Sequence, residues 1–120
     1  MKVSELSGAL LDYWTGRAAE GTGFVGRIAE YTDGQTYCVV PAGTCGENGW
    51  TGQRIYSPSS DWSIAGPFIE RYGMHVWEDE GDWFATAGQG VMKGNTPIVA
   101  LVRALIRFNY GEAVPNAVPA

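Results

Sequence analysis

The chain has few of the side chains from which catalytic and metal sites are usually built. Its 120 residues include one histidine, His75, and two cysteines, Cys38 and Cys45. A single histidine cannot form a multi-histidine metal site, and a lone strand histidine is more often structural than catalytic. The cysteines lack the C-x-x-C spacing of zinc and redox motifs, so we expect two free thiols. The sequence therefore predicts no metal and no cofactor, and it favours a protein that is not an enzyme.

Positive charge and long hydrophobic runs are also scarce. The chain has 8 basic and 13 acidic residues and a net charge of −5, whereas charge-driven nucleic-acid binding needs a basic surface. No apolar run approaches the roughly 20 residues of a membrane span, and the amphipathic start does not resemble a signal peptide. We therefore expect a cytoplasmic protein that binds neither a membrane nor, through charge, nucleic acid.

Two segments carry the hydrophobic pattern of helices with a buried face. In residues 6–14 apolar side chains recur at helical spacing after Ser4, which is a good N-cap. In residues 98–106 the same pattern follows Thr96 and Pro97, a strong helix start. With 45% hydrophobic and 18% charged residues, the composition is that of a globular protein. These segments predict two amphipathic helices, one near each end of the chain.

A hairpin is predicted shortly after the first helix. The dipeptide Asp33-Gly34 separates two strand-like segments and is typical of a two-residue hairpin turn. With such a turn, Ile28 would lie opposite Val39. Pro41 is expected to end the second strand because proline cannot donate a ladder hydrogen bond.

A second hairpin, with strands at 75–78 and 83–86, is predicted around the acidic turn 79–82. The two hairpins and two helices indicate an α+β fold, in which a small antiparallel sheet packs against the N-terminal and C-terminal helices. We predict one globular domain over residues 1–112 and a flexible C-terminal tail over residues 113–120.

The remaining segments are expected to be largely irregular. Glycine occupies every third position from Gly43 to Gly52, which favours a mobile surface loop carrying an exposed Trp50. Residues 88–94 are also predicted to be a loop. Pro67 is expected at the first position of a short helix, where proline is tolerated.

The segment from Tyr56 to Trp62 is the strongest candidate for a binding site. It combines hydroxyls, a carboxylate and two rings next to predicted helix N-termini, which attract anions. The alternative is structural, because serine and aspartate are also ordinary helix caps and aromatic rings are ordinary anchors. The candidate binding residues are Tyr56, Ser57, Ser59, Asp61, Trp62 and Glu70.

A second polar feature lies within the first predicted helix. Gly8, Asp12 and Gly16 share one stripe at four-residue spacing, opposite the apolar face. Each glycine costs about 1 kcal/mol of helix propensity relative to alanine. The stripe therefore indicates either that another part of the backbone approaches closely near Asp12 or that the helix is a weak surface helix.

Three blocks of the sequence resemble a family of small proteins encoded by tailed bacteriophages and prophages, the NinX-like phage proteins. The blocks are KVSEL and ALLDYW at 2–14, YSPSSDW and GPFIE at 56–70, and NTPI through Arg103 to the Gly-Glu pair at 95–112. They cover about half of the chain, and the glycine-rich segment 43–52 departs from the pattern. The family has no established activity, so the resemblance implies no catalytic residues. It implies an accessory role in phage biology inside the bacterial host.

Two functions of different classes follow from these observations. The first is a non-enzymatic protein-binding module that engages a host or phage protein, favoured by the acidic charge, the expected exposure of Trp50 and the lack of a complete catalytic set. The second is a small-ligand or hydrolytic site at the loop from Tyr56 to Trp62. Self-association is also open, since two helices and one small sheet can leave an apolar face uncovered.

Overall fold

The computed structural model describes residues 1–45 and 50–115, without the side chains of 42–51. The first sheet contains β1 to β3 and the second contains β4 to β6, each antiparallel and each in sequential strand order. The helices are α1 Gly8–Glu20, α2 Trp62–Tyr72 and α3 Pro97–Tyr110, and the strands are β1 Arg27–Glu30, β2 Thr36–Cys45, β3 Trp50–Ile55, β4 His75–Asp79, β5 Asp82–Thr86 and β6 Val91–Gly94.

The two terminal helices lie between the two sheets. Helix α1 packs against the first sheet, helix α3 packs against the second sheet, and the two helices pack against each other. This arrangement confirms the predicted α+β class, with two hairpins packed against the N-terminal and C-terminal helices. The hairpins do not share a sheet, however, because each gains a third strand and is covered by a different helix.

Helix α3 forms the centre of the core. The Thr96 hydroxyl accepts a hydrogen bond from the backbone N–H of Val99 at 3.2 Å, so the predicted cap and start are confirmed. Its apolar stripe is buried as predicted, and so are two alanines on the helix, because α1 covers α3 on a second side. The buried residues of α3 are Ile98, Ala100, Leu101, Val102, Ala104, Leu105 and Ile106.

Helix α1 begins later than predicted and is buried on more than one side. A short 3-10 turn, Val3–Glu5, precedes it, and the helix starts at Gly8 with Ser7 as N-cap, so the prediction that Ser4 caps the helix is wrong. The side chain of Asp12 is only 7% exposed. A Cβ on Gly16 would lie 2.3 Å from the ring of Phe24. Close approach of another chain segment therefore explains Gly16, and the burial of Asp12 argues against a weak surface helix, whereas Gly8 has open space beside it and adopts a φ of 59° at the start of the helix.

The first hairpin has a three-residue loop, and its register differs from the prediction by one residue. The N–H of Gly34 donates to the carbonyl of Tyr31, and the N–H of Tyr31 donates to the carbonyl of Gln35, both at 2.9 Å. Gly34 adopts a φ of 81°, as expected after a type I turn with a bulge. Ile28 consequently pairs with Cys38, because one extra loop residue shifts every pair and exchanges the faces.

The described residues of the glycine-rich segment, 43–45 and 50–52, are β-structure. Strand β2 runs through Pro41 to Cys45 and pairs with β3, so the prediction that Pro41 ends the strand is wrong, and the predicted loop is wrong for these described residues. The ladder with β1 ends at Val39, and the register with β3 shifts just after Pro41. A bulge of this kind tolerates proline. The predicted exposed side chain of Trp50 lies outside the described residues.

Two further elements differ from the predictions. Residues Val91–Gly94 form β6, which pairs with β5, although a loop was expected there. Helix α2 is one continuous helix whose N-cap is Asp61, and Pro67 lies inside it instead of at its start. The Asp61 cap supplies the start signal that the sequence argument assigned to Pro67.

The second hairpin and the end of the chain complete the fold. Glu80 and Gly81 form a two-residue turn with φ of 53° and 85°, which confirms the predicted hairpin. Near the C-terminus, Ala113 bridges to Lys2, and Val114 is buried. Residues 113 and 114 therefore contact the first residues of the chain, and residues 116–120 lie outside the described part, so the domain over residues 1–112 with a flexible tail over 113–120 stays a prediction.

Candidate functional site

A buried carboxylate joins α1 to the loop that leads into α2. Asp12 lies in the middle of α1, and its Oδ1 accepts a hydrogen bond from the backbone N–H of Ser59 at 2.8 Å. Pro58, next to this contact, is fully buried. A buried carboxylate is stable only when it is hydrogen-bonded or protonated. The contact with Ser59 therefore fixes the loop against the helix at this point.

Asp12 lines a groove between α1, the start of β2 and the loop. Gly8 and Ala9 form the helix side of the groove, where a larger side chain would narrow it. The groove has a volume of about 320 Å³, which falls in the range of small-molecule sites. We call it the Asp12 groove. Its polar lining residues are Asp12, Gln35, Thr36, Tyr37, Ser57, Ser59 and Ser60.

Burial shifts the ionisation of the groups around Asp12. Desolvation raises the pKa of Asp12 from 3.8 to about 6, although hydrogen bonds from the side chain and backbone of Ser59 lower it. Burial, and secondarily the Asp12 charge, raises the pKa of the Cys38 thiol to about 12. At neutral pH Asp12 is therefore close to its titration range, and Cys38 is a protonated core thiol and not a nucleophile.

The structure brings together only some of the predicted binding residues. Ser57 and Ser59 share the Asp12 groove. Tyr56 packs instead against Phe24, with ring centroids 5.3 Å apart, and lines a separate cleft. Burial raises the pKa of its hydroxyl above the ordinary value.

The other three predicted residues belong to α2. The Asp61 side chain caps the helix, accepting hydrogen bonds from the backbone N–H of Ser63 at 2.9 Å and from its hydroxyl at 2.6 Å. These two hydrogen bonds lower the pKa of Asp61. Trp62 and Glu70 are exposed on the same helix. No local pattern in the sequence connects Asp12 with the serine loop, although the four-residue glycine spacing around Asp12 marks its neighbourhood.

A second candidate surface lies on the outer face of the second sheet. Val76, Ala85 and Met92 form one row facing α3, so the neighbouring residues in each strand face outwards. On the outer side Trp77 lies directly opposite Phe84, and their rings stack with centroids 6.0 Å apart at 21°. We call this surface the aromatic face. It consists of His75, Trp77, Phe84, Thr86, Val91 and Lys93.

The aromatic face leaves a large apolar area in contact with water. Trp77 is 39% exposed, Phe84 is partly exposed, and Val91 is 53% exposed. Trp77 and Phe84 are directly opposite each other, and Val91 is a diagonal neighbour of Phe84 on the next strand, beside Thr86, so the three residues lie close together on one face. Contiguous apolar surface of this kind marks interaction sites more often than isolated exposed residues do.

One end of the aromatic face carries concentrated negative charge. The turn between β4 and β5 contains four carboxylates within five residues, and Asp79 lies directly opposite Asp82. Like charges in this position destabilise a strand pair. Lys93 Nζ lies 3.2 Å from Asp82 Oδ2 and offsets one of the charges. We call these residues the acidic turn, which comprises Glu78, Asp79, Glu80 and Asp82.

The described residues contain no cluster of three His, Cys, Asp or Glu side chains placed to hold a metal ion. The same residues contain no helix that is both long and apolar enough to cross a membrane.

Comparison with known proteins gives one informative result. A search of curated proteins finds no match. A family model described as "Bacteriophage P22, NinX" matches residues 2–107. This range includes the Asp12 groove, the aromatic face and all three helices apart from the last residues of α3. Because the match spans most of the chain, the chain belongs to the NinX family of phage proteins.

Proposed function

We propose that this phage-encoded accessory protein is a non-enzymatic binding module that engages a host or phage protein through the aromatic face. The observation that carries the proposal is the stacked pair of Trp77 and Phe84, exposed beside Val91 on the outer side of the second sheet. Aromatic residues dominate the binding energy of many protein interfaces because they bury large area with few rotatable bonds.

The chemistry of the flanking groups favours a basic partner. The acidic turn places Asp79 and Asp82 at one end of the aromatic face, with Glu80 at its tip, and among the described residues only Lys93 forms an ion pair with one of them. Asp79 and Asp82 oppose each other at a cost to strand pairing, and Glu80 adopts a positive φ that residues other than glycine rarely adopt. A partner with Lys or Arg next to an apolar patch would relieve this repulsion and cover the rings.

The proposal places the protein in the host cytoplasm, where phage accessory proteins meet host proteins. It replaces the predicted role of Trp50 with Trp77, whose exposed position is described. A small-ligand or hydrolytic site at Tyr56, Ser57, Ser59, Asp61, Trp62 and Glu70 remains the alternative prediction.

The test is affinity capture from host lysate with the full chain and two matched variants. Trp77→Thr removes the ring from the aromatic face and keeps a residue that favours strands. Trp62→Gln removes another half-exposed tryptophan, from α2, and keeps a residue that favours helices. We expect the wild type and Trp62→Gln to capture the same basic protein, and Trp77→Thr to lose at least ten-fold in affinity for it. The affinity should also fall as the salt concentration rises.

Two results would contradict the proposal. Equal capture by Trp77→Thr, or loss with Trp62→Gln alone, would remove the aromatic face as the interface, and the second result would favour the alternative site on the loop and α2. Sedimentation of the purified chain shows whether the occupant is a second copy. A dimer that Trp77→Thr dissociates would replace the foreign partner with self-association.

A further inference from the structure

We propose that the Asp12 groove is a binding site for a small organic cation, such as a primary amine, whose N–H groups donate to the Asp12 carboxylate. The site lies between α1 and the first sheet, whereas the aromatic face lies on the second sheet. The inference is therefore independent of the proposed protein interface.

The groove contains a carboxylate, Asp12, whose negative charge is not balanced by a cationic side chain of the described residues. Asp12 is 93% buried, and its burial is the largest influence on its ionisation. The other influences are hydrogen bonds from Ser59, and no Lys or Arg of the described residues is among them. The hydrogen bonds from Ser59 offset part of the hydration energy that the buried carboxylate loses, and a bound cation or a proton would offset more of it. The groove therefore attracts positive charge.

A set of hydrogen-bonding groups surrounds the carboxylate. The residues that line the same groove include four with hydroxyls, Thr36, Ser57, Ser59 and Ser60, and one with an amide, Gln35. A hydroxyl can accept a hydrogen bond as well as donate one, so these groups can bind the N–H groups that Asp12 does not reach. Gly8 and Ala9 leave the helix side of the groove open, since neither carries a long side chain.

The neighbouring cation, Arg103, is already held by hydrogen bonds to backbone carbonyls. Arg103 lines the adjoining cleft, which shares Gly8 and Ser59 with the Asp12 groove. Its guanidinium donates to the carbonyl of Leu6 at 2.8 and 3.2 Å and to the carbonyl of Lys93 at 2.9 Å. These hydrogen bonds hold Arg103 in place, so it is not free to neutralise Asp12.

Three probes of equal size distinguish charge from shape. Butylammonium, 1-butanol and butyrate are titrated separately into the isotopically labelled full chain at pH 7.5, and backbone amide shifts are recorded. We expect butylammonium to shift the resonances of Ala9, Ser57 and Ser59 in a saturable manner, while 1-butanol and butyrate leave them unchanged. Equal shifts with 1-butanol would show a non-specific apolar pocket, and no saturable shift with butylammonium would refute the site.

Matched variants then test the role of the carboxylate. Asp12→Asn keeps an oxygen that can accept from the Ser59 N–H and removes the charge. Asp79→Asn makes the same change in the acidic turn, outside the groove. We expect butylammonium affinity to fall at least ten-fold in Asp12→Asn and to stay within two-fold in Asp79→Asn. Equal losses in both variants would show general charge attraction and would overturn the proposal.

The pH dependence of binding gives a readout that requires no mutation. An alkylammonium ion stays protonated well above neutral pH, so between pH 7.5 and 5 only the protein changes its ionisation. A bound cation favours the ionised carboxylate and should lower the pKa of Asp12, as followed by its carboxyl ¹³C resonance. We expect affinity to fall as Asp12 becomes protonated. Constant affinity over this range would exclude Asp12 as the ligand group.

Discussion

The two sheets are alike in strand number and direction, but they distribute polar and apolar groups in opposite ways. Behind the first sheet lies a buried carboxylate, Asp12, whereas the second sheet packs on α3 with apolar residues and a close-fitting glycine, Gly94. On the outer sides of the two sheets, this distribution of polar and apolar groups is reversed. The first sheet carries a hydrogen bond from Arg27 to Gln53 across β2, and Val39 beneath it is 1% exposed.

The outer side of the second sheet has no comparable cover over Trp77 and Phe84 among the residues that the structure describes. The contact between Arg27 and Gln53 therefore covers only part of the outer side of the first sheet, since Ile55, which pairs with Val39, is 42% exposed. The second sheet instead exposes a stacked aromatic pair on its outer side. The difference locates the candidate protein interface on the second sheet and the candidate small-ligand groove behind the first sheet.

The largest effect is expected where the second sheet meets α3. A Cβ on Gly94 would lie 2.4 Å from the backbone nitrogen of Ala100, and backbone cannot move aside as a side chain can. Gly94→Ala should lower the free energy of unfolding by about 3 kcal/mol, at the upper end of overpacking costs, as measured by urea denaturation.

Gly16→Ala is the matched change at the interface between α1 and the first sheet. Its Cβ meets a side chain, the ring of Phe24, and not backbone, and alanine also gains about 1 kcal/mol of helix propensity. We expect a smaller loss than for Gly94→Ala. The reverse order would show that α1 and not α3 has the more rigid contact with its sheet.

The next effect concerns the buried carboxylate behind the first sheet. Because the folded-state pKa of Asp12 is about 6 and its ordinary value is 3.8, the folded protein binds more protons than the unfolded protein between these values. The contribution of Asp12 to stability is therefore most favourable below pH 4 and falls as pH rises through 6. The full change from below pH 4 to above pH 6 amounts to about 3 kcal/mol.

Asp12→Asn isolates this contribution. We expect the variant to gain stability relative to wild type as pH rises from 4 to 8, as measured by urea denaturation at each pH. Asp33→Asn is the control, because hydrogen bonds from Gln35 and Tyr37 lower the pKa of the exposed Asp33. The contribution of Asp33 should be lost on acidification, with the opposite sign. A difference curve for Asp12→Asn that is flat between pH 4 and 8 would contradict the assignment.

These contrasts explain which parts of the structure could be predicted from the sequence. Helix α3 was predicted from its start at Pro97 to its apolar face, because a cap and a hydrophobic stripe are both local patterns. The second hairpin was also predicted, because its two strands and the turn between them are local patterns as well. The α+β class followed from these elements, whereas the separation into two sheets did not, since it depends on which helix each hairpin packs against.

The wrong predictions arise where one local sequence pattern is compatible with two structures. Asp33-Gly34 suits both two-residue and three-residue hairpin loops, and the Asp33 side chain stabilises the longer loop by accepting from the Gln35 N–H. Pro41 and the regular glycines suggested a loop, but a bulge beside Pro41 lets β2 continue. Of the candidate site, Ser57 and Ser59 were predicted, whereas their contact with Asp12 spans 47 residues of sequence and leaves no local pattern.

The prediction with the smallest expected effect concerns the polar contact between Arg27 and Gln53. It tests whether this contact covers apolar side chains on the outer side of the first sheet. Arg27 NH2 donates to Gln53 Oε1 at 2.6 Å over the side of β2 that carries Val39. Arg27→Ala removes this contact and the aliphatic stem, and should cost about 1 kcal/mol while increasing the binding of a hydrophobic dye.

Lys93→Ala removes an exposed ion pair on the second sheet, which should cost at most about 0.5 kcal/mol. It should change dye binding little, because Trp77 and Phe84 are already exposed. If Arg27→Ala leaves both stability and dye binding unchanged, the hydrogen bond between Arg27 and Gln53 does not protect the apolar side chains beneath it. The outer face of the first sheet would then be as available to a partner as the aromatic face.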